Sequence, residues 1–306
     1  MIKLEKKMKQ LKHLFGAGLM LALIMPVLAL AQDEKERGVG NVVYVPTPQV
    51  VVDEMLRMAK VGPADFVIDL GSGDGRMVRT AAKKFGARGF GVDLSDDLLR
   101  ESNGLALAEG IADRARFIKE DLFETDLSKA TVITSYLLPE MNQKLRPKIL
   151  NLKPGTRVVA HDYHMGEWPS DENKEIIVPE KKVGVAGRSY VYLWIVPAKV
   201  GGRWQAQINS PAHSGGLELE FAQKFQKLEG SAKSGGQTVA LLAPKIEADQ
   251  LSFAFFTKPG DSATRHQFTG AVKGDTIEGL VKVGDGAKQQ QLPWSAKIVQ
   301  RVAGPQ

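Results

Sequence analysis

Ten residues, Val67-Ile68-Asp69-Leu70-Gly71-Ser72-Gly73-Asp74-Gly75-Arg76, restrict this chain more than any other stretch. An apolar run ends in an acid, and three alternating glycines follow. The pattern reads as a buried strand entering a tight turn and then a helix start. Glycine adopts backbone angles that other residues resist, and it lets a ligand approach the main chain closely. One such turn is weak by itself, since any strand-to-helix connection can use glycine. Here the context repeats. Gly89-Phe90-Gly91-Val92 ends in Asp93, and Ala115-Arg116-Phe117-Ile118 leads into Glu120-Asp121. Three strands each end in an acid, with helix-like segments between them.

The alternation runs on for about 110 residues. It predicts strands at 66–70, 89–92, 116–118, 131–136 and 157–160, and helices at 77–85, 96–109 and 141–150. Strands and helices in turn at this spacing predict an α/β, Rossmann-like, doubly wound and mostly parallel sheet. An antiparallel pair at 175–178 and 189–196 should finish it, with Pro197 as the boundary of a domain spanning 32–197. Upstream, Pro46 and Pro48 fix Tyr44-Val45-Pro46-Thr47-Pro48 as extended chain. Val50, Val51, Met55, Leu56, Met58 and Ala59 then follow at helical spacing, so a helix should pack on the sheet.

At these residues the chain resembles the class I, seven-stranded S-adenosylmethionine-dependent methyltransferases. The resemblance covers roughly residues 41–197. Asp69, Gly71, Ser72, Gly73 and Gly75 resemble the family's first motif. Asp93, with Leu94, resembles the acid after the second strand that holds the ribose hydroxyls. Asp121 and Leu122 resemble the pair that faces the adenine. In relatives a segment like Val45-Pro46-Thr47-Pro48 closes over the cofactor, which implies Thr47 as a hydroxyl partner for the cofactor's carboxylate; a plain strap over the core is the alternative. The resemblance implies S-adenosylmethionine as cofactor. A carboxylate can accept hydrogen bonds from both vicinal hydroxyls of a ribose. A dinucleotide-binding enzyme also pairs a glycine loop with an acid about 20 residues on. The 22 positions from Gly71 to Asp93 fit either. Asp69 and Asp74 bracket the loop, which suits a cationic ligand better than a pyrophosphate.

Two loops should border the transferred methyl group, because sites of open parallel sheets lie at the carboxyl ends of the strands. One is Ser135-Tyr136-Leu137-Leu138-Pro139-Glu140; the other is His161-Asp162-Tyr163-His164. The first, with Leu145 and Lys153-Pro154-Gly155-Thr156-Arg157-Val158, resembles seven-stranded protein-lysine methyltransferases, namely the non-SET histone-lysine enzymes and a mitochondrial membrane-protein lysine group. That resemblance implies a lysine amine as acceptor and a channel lined by Tyr136, with Trp168 beside it. Tyr136 and Asp162 are the candidate catalytic residues. Asp162 or His161 is a general base or a polar rim residue. His161 and His164 as a metal pair would need a third ligand on a defined element, and no metal is expected. A small-molecule or lipid acceptor is the alternative substrate reading. From another class, the rival is a non-catalytic binding protein that keeps the methyltransferase fold.

Residues 198–306 change character. Gly201-Gly202, Gly215-Gly216, Gly235-Gly236, Pro259-Gly260-Asp261, Gly274-Asp275 and Gly284-Asp285-Gly286 punctuate alternating runs such as Leu217-Glu218-Leu219-Glu220-Phe221. This predicts a smaller all-β domain, an antiparallel barrel or sandwich. Its role is an interaction module or structural support.

The first 31 residues read as a secretory signal peptide. Lys3, Lys6, Lys7, Lys9 and Lys12 form a basic lead, Leu14–Leu30 is an apolar run of 17 residues, and Ala29-Leu30-Ala31 is a cleavage site. An uncleaved membrane anchor is the alternative, because that run approaches a spanning length. The expected location is therefore exported, periplasmic or secreted, with membrane association in the anchored case. Five lysines and one glutamate in this segment carry most of the formal +6 charge of the chain. No nucleic-acid partner is inferred from it. The absence of cysteine excludes disulfides and thiol nucleophiles.

Overall fold

A computed structural model describes residues 38–39, 42–209, 216–257, 263–284, 286 and 289–302. The signal peptide read at 1–31 lies outside the described residues, as do Gly215, the Pro259-Gly260-Asp261 turn and Asp285. Among the described residues no helix is long and apolar enough to cross a membrane.

A two-strand hairpin, β1 (Gly38–Val39) with β2 (Val42–Val43), leads into helix α1 (Gln49–Met58). The alternating unit follows as β3 (Phe66–Leu70), α2 (Arg76–Phe85), β4 (Arg88–Asp93), α3 (Asp96–Ala108), β5 (Ala115–Lys119), β6 (Val132–Ser135), α4 (Pro139–Ile149) and β7 (Arg157–His161). Then come β8 (Glu172–Ile177) and β9 (Arg188–Ile195). The sheet order is β5-β4-β3-β6-β7-β9-β8. The first five of these strands are parallel, and β9 and β8 are added antiparallel. The chain runs outward from β3 to β5 and then returns to the other side of β3. That reversal opens a crevice between β3 and β6 at their carboxyl ends.

The local sequence explains the boundaries. Helix α2 is framed by Gly75 and Gly86, both left-handed, with Lys83 and Lys84 in its last turn, where a helix favours cations. Ser95 caps α3 through the Leu98 N–H, and Asp96 and Asp97 sit in its first turn. The central strands are buried on both faces, as a parallel sheet requires: Val67, Ile68, Leu70, Val132, Ile133, Val158 and Val159 are all fully buried. Val51, Met55 and Leu56 of α1 fill one side of that core.

The second domain is a barrel. Strands β10 (Gly202–Ile208), β11 (Leu217–Lys224), β12 (Lys227–Ser234), β14 (Leu242–Glu247), β15 (Gln250–Thr257), β16 (Thr264–Lys273), β17 (Thr276–Val283) and β18 (Gln290–Arg301) pair in chain order. Pairing of β10 with β18 closes the ring, while β13 (Gln237–Ala240) pairs with the second half of β12, along the edge that β14 meets at Lys227. An eight-stranded ring has an interior that side chains can fill. Here Trp204, Phe221, Phe253, Phe268 and Trp294 are buried in it; Phe253 and Phe268 stack at 4.7 Å and Trp294 meets Phe268 edge-on at 5.0 Å. The barrel also touches the sheet domain. The β11–β12 turn inserts Phe225, stacked on Trp168 with ring centroids 6.2 Å apart, and Gln226 accepts the Trp168 indole N–H at 3.0 Å.

Candidate functional site

The crevice at the carboxyl ends of the parallel strands encloses about 280 Å³. Its floor is the glycine turn. Gly71, Gly73 and Gly75 have φ of 76°, 53° and 78°, the left-handed region that disfavours side chains. The turn is tied to β4, because the N–H groups of Gly71 and Ser72 donate to the Val92 carbonyl at 3.0 and 2.9 Å. Close approach at Gly73 and Gly75 is to the protein itself. A Cβ on Gly73 would lie 2.3 Å from the Tyr44 ring, and one on Gly75 would lie 2.4 Å from Phe117.

The acids divide by environment. Asp93 accepts the Gly73 N–H at 2.9 Å on one oxygen and the Ser95 N–H at 2.9 Å on the other. Two N–H bonds leave further lone pairs on this carboxylate for a ligand's hydroxyls. Asp69 is buried beneath the turn and accepts the Thr134 hydroxyl at 2.6 Å. Burial pushes its carboxyl up to about 7, against the opposing Thr134 bond. Asp74 behaves differently. Burial acts to raise it, but the Arg76 guanidinium, forked across both oxygens at 2.6–3.0 Å, holds it below the usual carboxylate range. Asp74 is therefore already neutralised from inside the chain and is not a spare acid for a cation. Asp121 and Leu122 lie on the opposite wall with Leu94, and the Asp121 carboxylate accepts the Phe123 N–H at 2.8 Å.

The strap forms the next wall. Arg76 donates to the Thr47 carbonyl at 2.9 Å, which fastens the strap to the glycine turn. The Thr47 side chain lines the crevice, and its hydroxyl pairs with His161 Nδ1 at 3.2 Å. His161 Nε2 pairs with the Ser189 hydroxyl at 2.9 Å. Burial lowers this imidazole to about 4, so it is neutral near pH 7 and fully engaged. His164 accepts the Gly166 N–H at 3.0 Å. The two histidines thus face different partners.

Ser135, Tyr136, Leu137 and Met141 form the wall nearest β6. The Ser72 and Ser135 hydroxyls are buried against the crevice with no protein partner. A buried hydroxyl without a partner is unfavourable unless a ligand or water meets it, so both suit a polar guest. The Tyr136 ring lies 3.9 Å from the His161 ring, and its hydroxyl donates to Asp162 at 3.3 Å. Burial and the Asp162 charge push that phenol far up, so it stays protonated. Asp162, expected beside the acceptor, lies behind Tyr136 and outside the crevice lining. Its oxygens already accept from Tyr136, Lys181 and the Tyr190 N–H. With its oxygens so engaged and outside the lining, Asp162 is not placed to take a proton from a guest in the crevice. Trp168, expected along the channel, instead sits under the barrel turn, where a large aromatic buries more surface.

Sequence reasoning did not select Tyr44, Arg76, Met141 or Lys181. Arg76 carried a signal: it is two residues after a bracketing acid at a helix start. Lys181 carried none, because only the β7–β9 pairing brings its loop over Asp162.

Comparison with known proteins finds relatives of the sheet domain. The family described as the ANTKMT methyltransferase domain matches residues 69–172. A protein-lysine N-methyltransferase of Saccharolobus islandicus is 43% identical over 161 residues, which is 52% of this chain and 96% of that protein. A lysine N-methyltransferase of Xenopus laevis, named for a component of ATP synthase, is 32% identical over 129 residues. That match covers 42% of this chain and 56% of the relative, so the chain spans little more than half of its length. A solved structure of an RNA methyltransferase from Salinibacter ruber with S-adenosyl-L-homocysteine aligns at 46% identity and a TM-score of 0.46, over 51% of this chain and 96% of that one.

Proposed function

Because the chain belongs to the class I, seven-stranded S-adenosylmethionine-dependent methyltransferases, we propose that it methylates the side-chain amine of a protein lysine. The 43% identity to a protein-lysine enzyme across 96% of that enzyme's length carries the reading. The crevice supports it. Tyr136, Leu137 and Met141 offer an aromatic and apolar wall, which disfavours a charged ammonium relative to the neutral amine that can attack.

Residues already in place fit the cofactor. Asp93 would take the ribose hydroxyls, Asp121 and Leu122 the adenine, and Ser72, Ser135 and Thr47 the polar tail. When bound, S-adenosylmethionine supplies a methyl group on a sulfonium, a leaving group that needs no acid. The chain therefore contributes alignment and a dry approach. The amine lone pair forms the new C–N bond as the C–S bond breaks, and the product ammonium releases its proton to water. No side chain needs to act as a base in that step.

Asp69 gives the site a pH signature. Its folded-state value of about 7 lies above that of an unfolded aspartate. Its contribution to stability is thus greatest at low pH and is lost as pH rises toward 7. Cation binding runs the other way, because it favours the ionised carboxylate. The affinity for S-adenosylmethionine, which carries the sulfonium charge, should rise between pH 5.5 and 7.5 by up to about tenfold per unit when measured by calorimetry. Asp69→Asn should flatten the profile; a slope that persists in that variant would remove the assignment.

The deciding experiment supplies methyl-deuterated S-adenosylmethionine and host protein and lipid fractions to the purified protein. Deuterated methyl on a lysine Nζ, located by mass spectrometry, supports the proposal. Label found only in lipids or small molecules would replace lysine as acceptor, and cofactor binding with no label anywhere would favour the binding-protein reading. Export by residues 1–31 is part of this proposal; a mature N-terminus at Gln32 supports it, and retained Met1 argues for an anchor.

A further inference from the structure

A buried ion pair sits one layer behind the acceptor wall, and neither member touches the crevice. The Asp162 and Lys181 side chains are each 5% exposed and bonded to one another. Lys181 also donates to the Arg188 carbonyl at 2.6 Å. Asp162 adopts φ of 60°, an uncommon conformation for a residue with a side chain. Its backbone N–H meets the Tyr190 carbonyl at 2.6 Å while its carboxylate accepts the Tyr190 N–H at 3.0 Å. The loop between β8 and β9 closes over this arrangement at Gly184, where a Cβ would stand 3.1 Å from the Asp162 carboxylate. Burying two charges is unfavourable unless both are satisfied. Such an arrangement, held by a strained backbone, is expected where surrounding structure fixes it for a purpose.

The pair bonds directly to the crevice lining at Tyr136, while Asp162 also stands 3.4 Å from Nε2 of His161, which lies outside the lining. Resting on the reading of this crevice as a methyl-transfer site, we propose that Lys181 and Asp162 are positioning residues, which tether the Tyr136 hydroxyl away from the crevice so that the aromatic ring faces the acceptor. The His161 ring at 3.9 Å supports the other side of Tyr136 and fixes its tilt. The phenol serves as an anchor point, and its oxygen takes no proton from the amine. Lys181 belongs to a loop that also exposes Val183 and Val185.

The test has a ligand-free arm and a kinetic arm. Lys181→Met leaves Asp162 charged and can unfold the protein, so Lys181→Met with Asp162→Ala, which removes both the charge and the acceptor of the Tyr136 hydroxyl, is made alongside, and Lys181→Arg serves as the conservative rescue. In protein labelled with 13C on its tyrosine rings, the Tyr136 resonance is assigned by its loss in Tyr136→Phe. It should move in the paired variant and return toward its position in Lys181→Arg; an unmoved resonance overturns the tether. In the kinetic arm, with a lysine-containing peptide that the wild type methylates, the paired variant should lower kcat at least tenfold. S-adenosylhomocysteine affinity should stay within twofold. In a Tyr136→Phe background the same pair of changes should have no further effect on kcat. An equal fall in that background, or a matching loss of cofactor affinity, overturns the proposal. If the wild type methylates no peptide, methyl transfer to lysine fails by itself, and the ring resonance alone decides the tether.

Discussion

Gly73→Val is expected to weaken S-adenosylmethionine binding by at least roughly 100-fold, about 2.8 kcal/mol at about 1.4 kcal/mol per decade. Two effects act together. Gly73 has φ of 53°, and its position leaves a Cβ only 2.3 Å from the Tyr44 ring. The left-handed conformation costs an L-residue roughly 1–2 kcal/mol, and a β-branched one more. The turn must therefore move or Tyr44 must leave the strap. Either motion also disturbs the 2.9 Å bond from the Gly73 N–H to Asp93. The barrel lies in a separate core and should keep its aromatic circular dichroism, which guards against a simple folding failure. Cofactor titration by calorimetry is the check. Binding within threefold of wild type would mean that the glycine turn does not form the floor of the cofactor site.

The second large effect is expected at Asp93. Asp93→Ala should weaken cofactor binding by about 1.5–3 kcal/mol, the range for hydrogen bonds to a charged group, or roughly 10- to 150-fold. The variant removes the acceptor proposed for the ribose hydroxyls. It also frees the N–H groups of Gly73 and Ser95, each now held at 2.9 Å. Asp93→Asn separates these contributions, because its amide oxygen can still accept from one N–H while the charge is gone. An intermediate loss in Asp93→Asn fits a charge-assisted ribose contact. Affinity unchanged in Asp93→Ala would withdraw the ribose assignment and leave the resemblance at this position without a chemical meaning.

The β domain changes how the enzyme is understood. Its aromatic interior is filled by Trp204, Phe253, Phe268 and Trp294, so its ring is a packed core. Its contribution to the sheet domain is instead the Phe225-Gln226 turn. Gln226 also donates to the Pro169 carbonyl at 2.7 Å. Arg146 on α4 stands 5.5 Å from the Phe225 ring and donates to the Met165 carbonyl at 3.0 Å. Helix α4 also supplies Met141 to the crevice wall. The barrel thus braces the back of the helix whose Met141 lines the crevice.

The parallel sheet, the glycine turn and the three strand-end acids were legible in the sequence. Each is written in neighbouring residues: apolar runs of strand length, glycines where φ must be positive, and a carboxylate within two residues of each strand end. Local chain geometry sets all of these, so nothing distant is needed to read them. The alternation of 198–306 identified strands but could not choose between barrel and sandwich, because both have a period of two. The pairing of β10 with β18 decides it, and those strands are separated by most of the domain. The same limit applies to side chains. Asp162 and Trp168 were visible as chemistry-bearing residues near the site, yet their roles depend on Lys181 and Phe225. Those partners are brought in by the antiparallel addition of β9 and the docking of the β11–β12 turn. A hydrogen bond or a stacked ring constrains only the atoms it joins and leaves no periodic trace along the chain. The sequence by itself therefore determined which backbone forms the crevice. Only the tertiary structure decided which polar groups remain free to act on a ligand and which are already held by the protein.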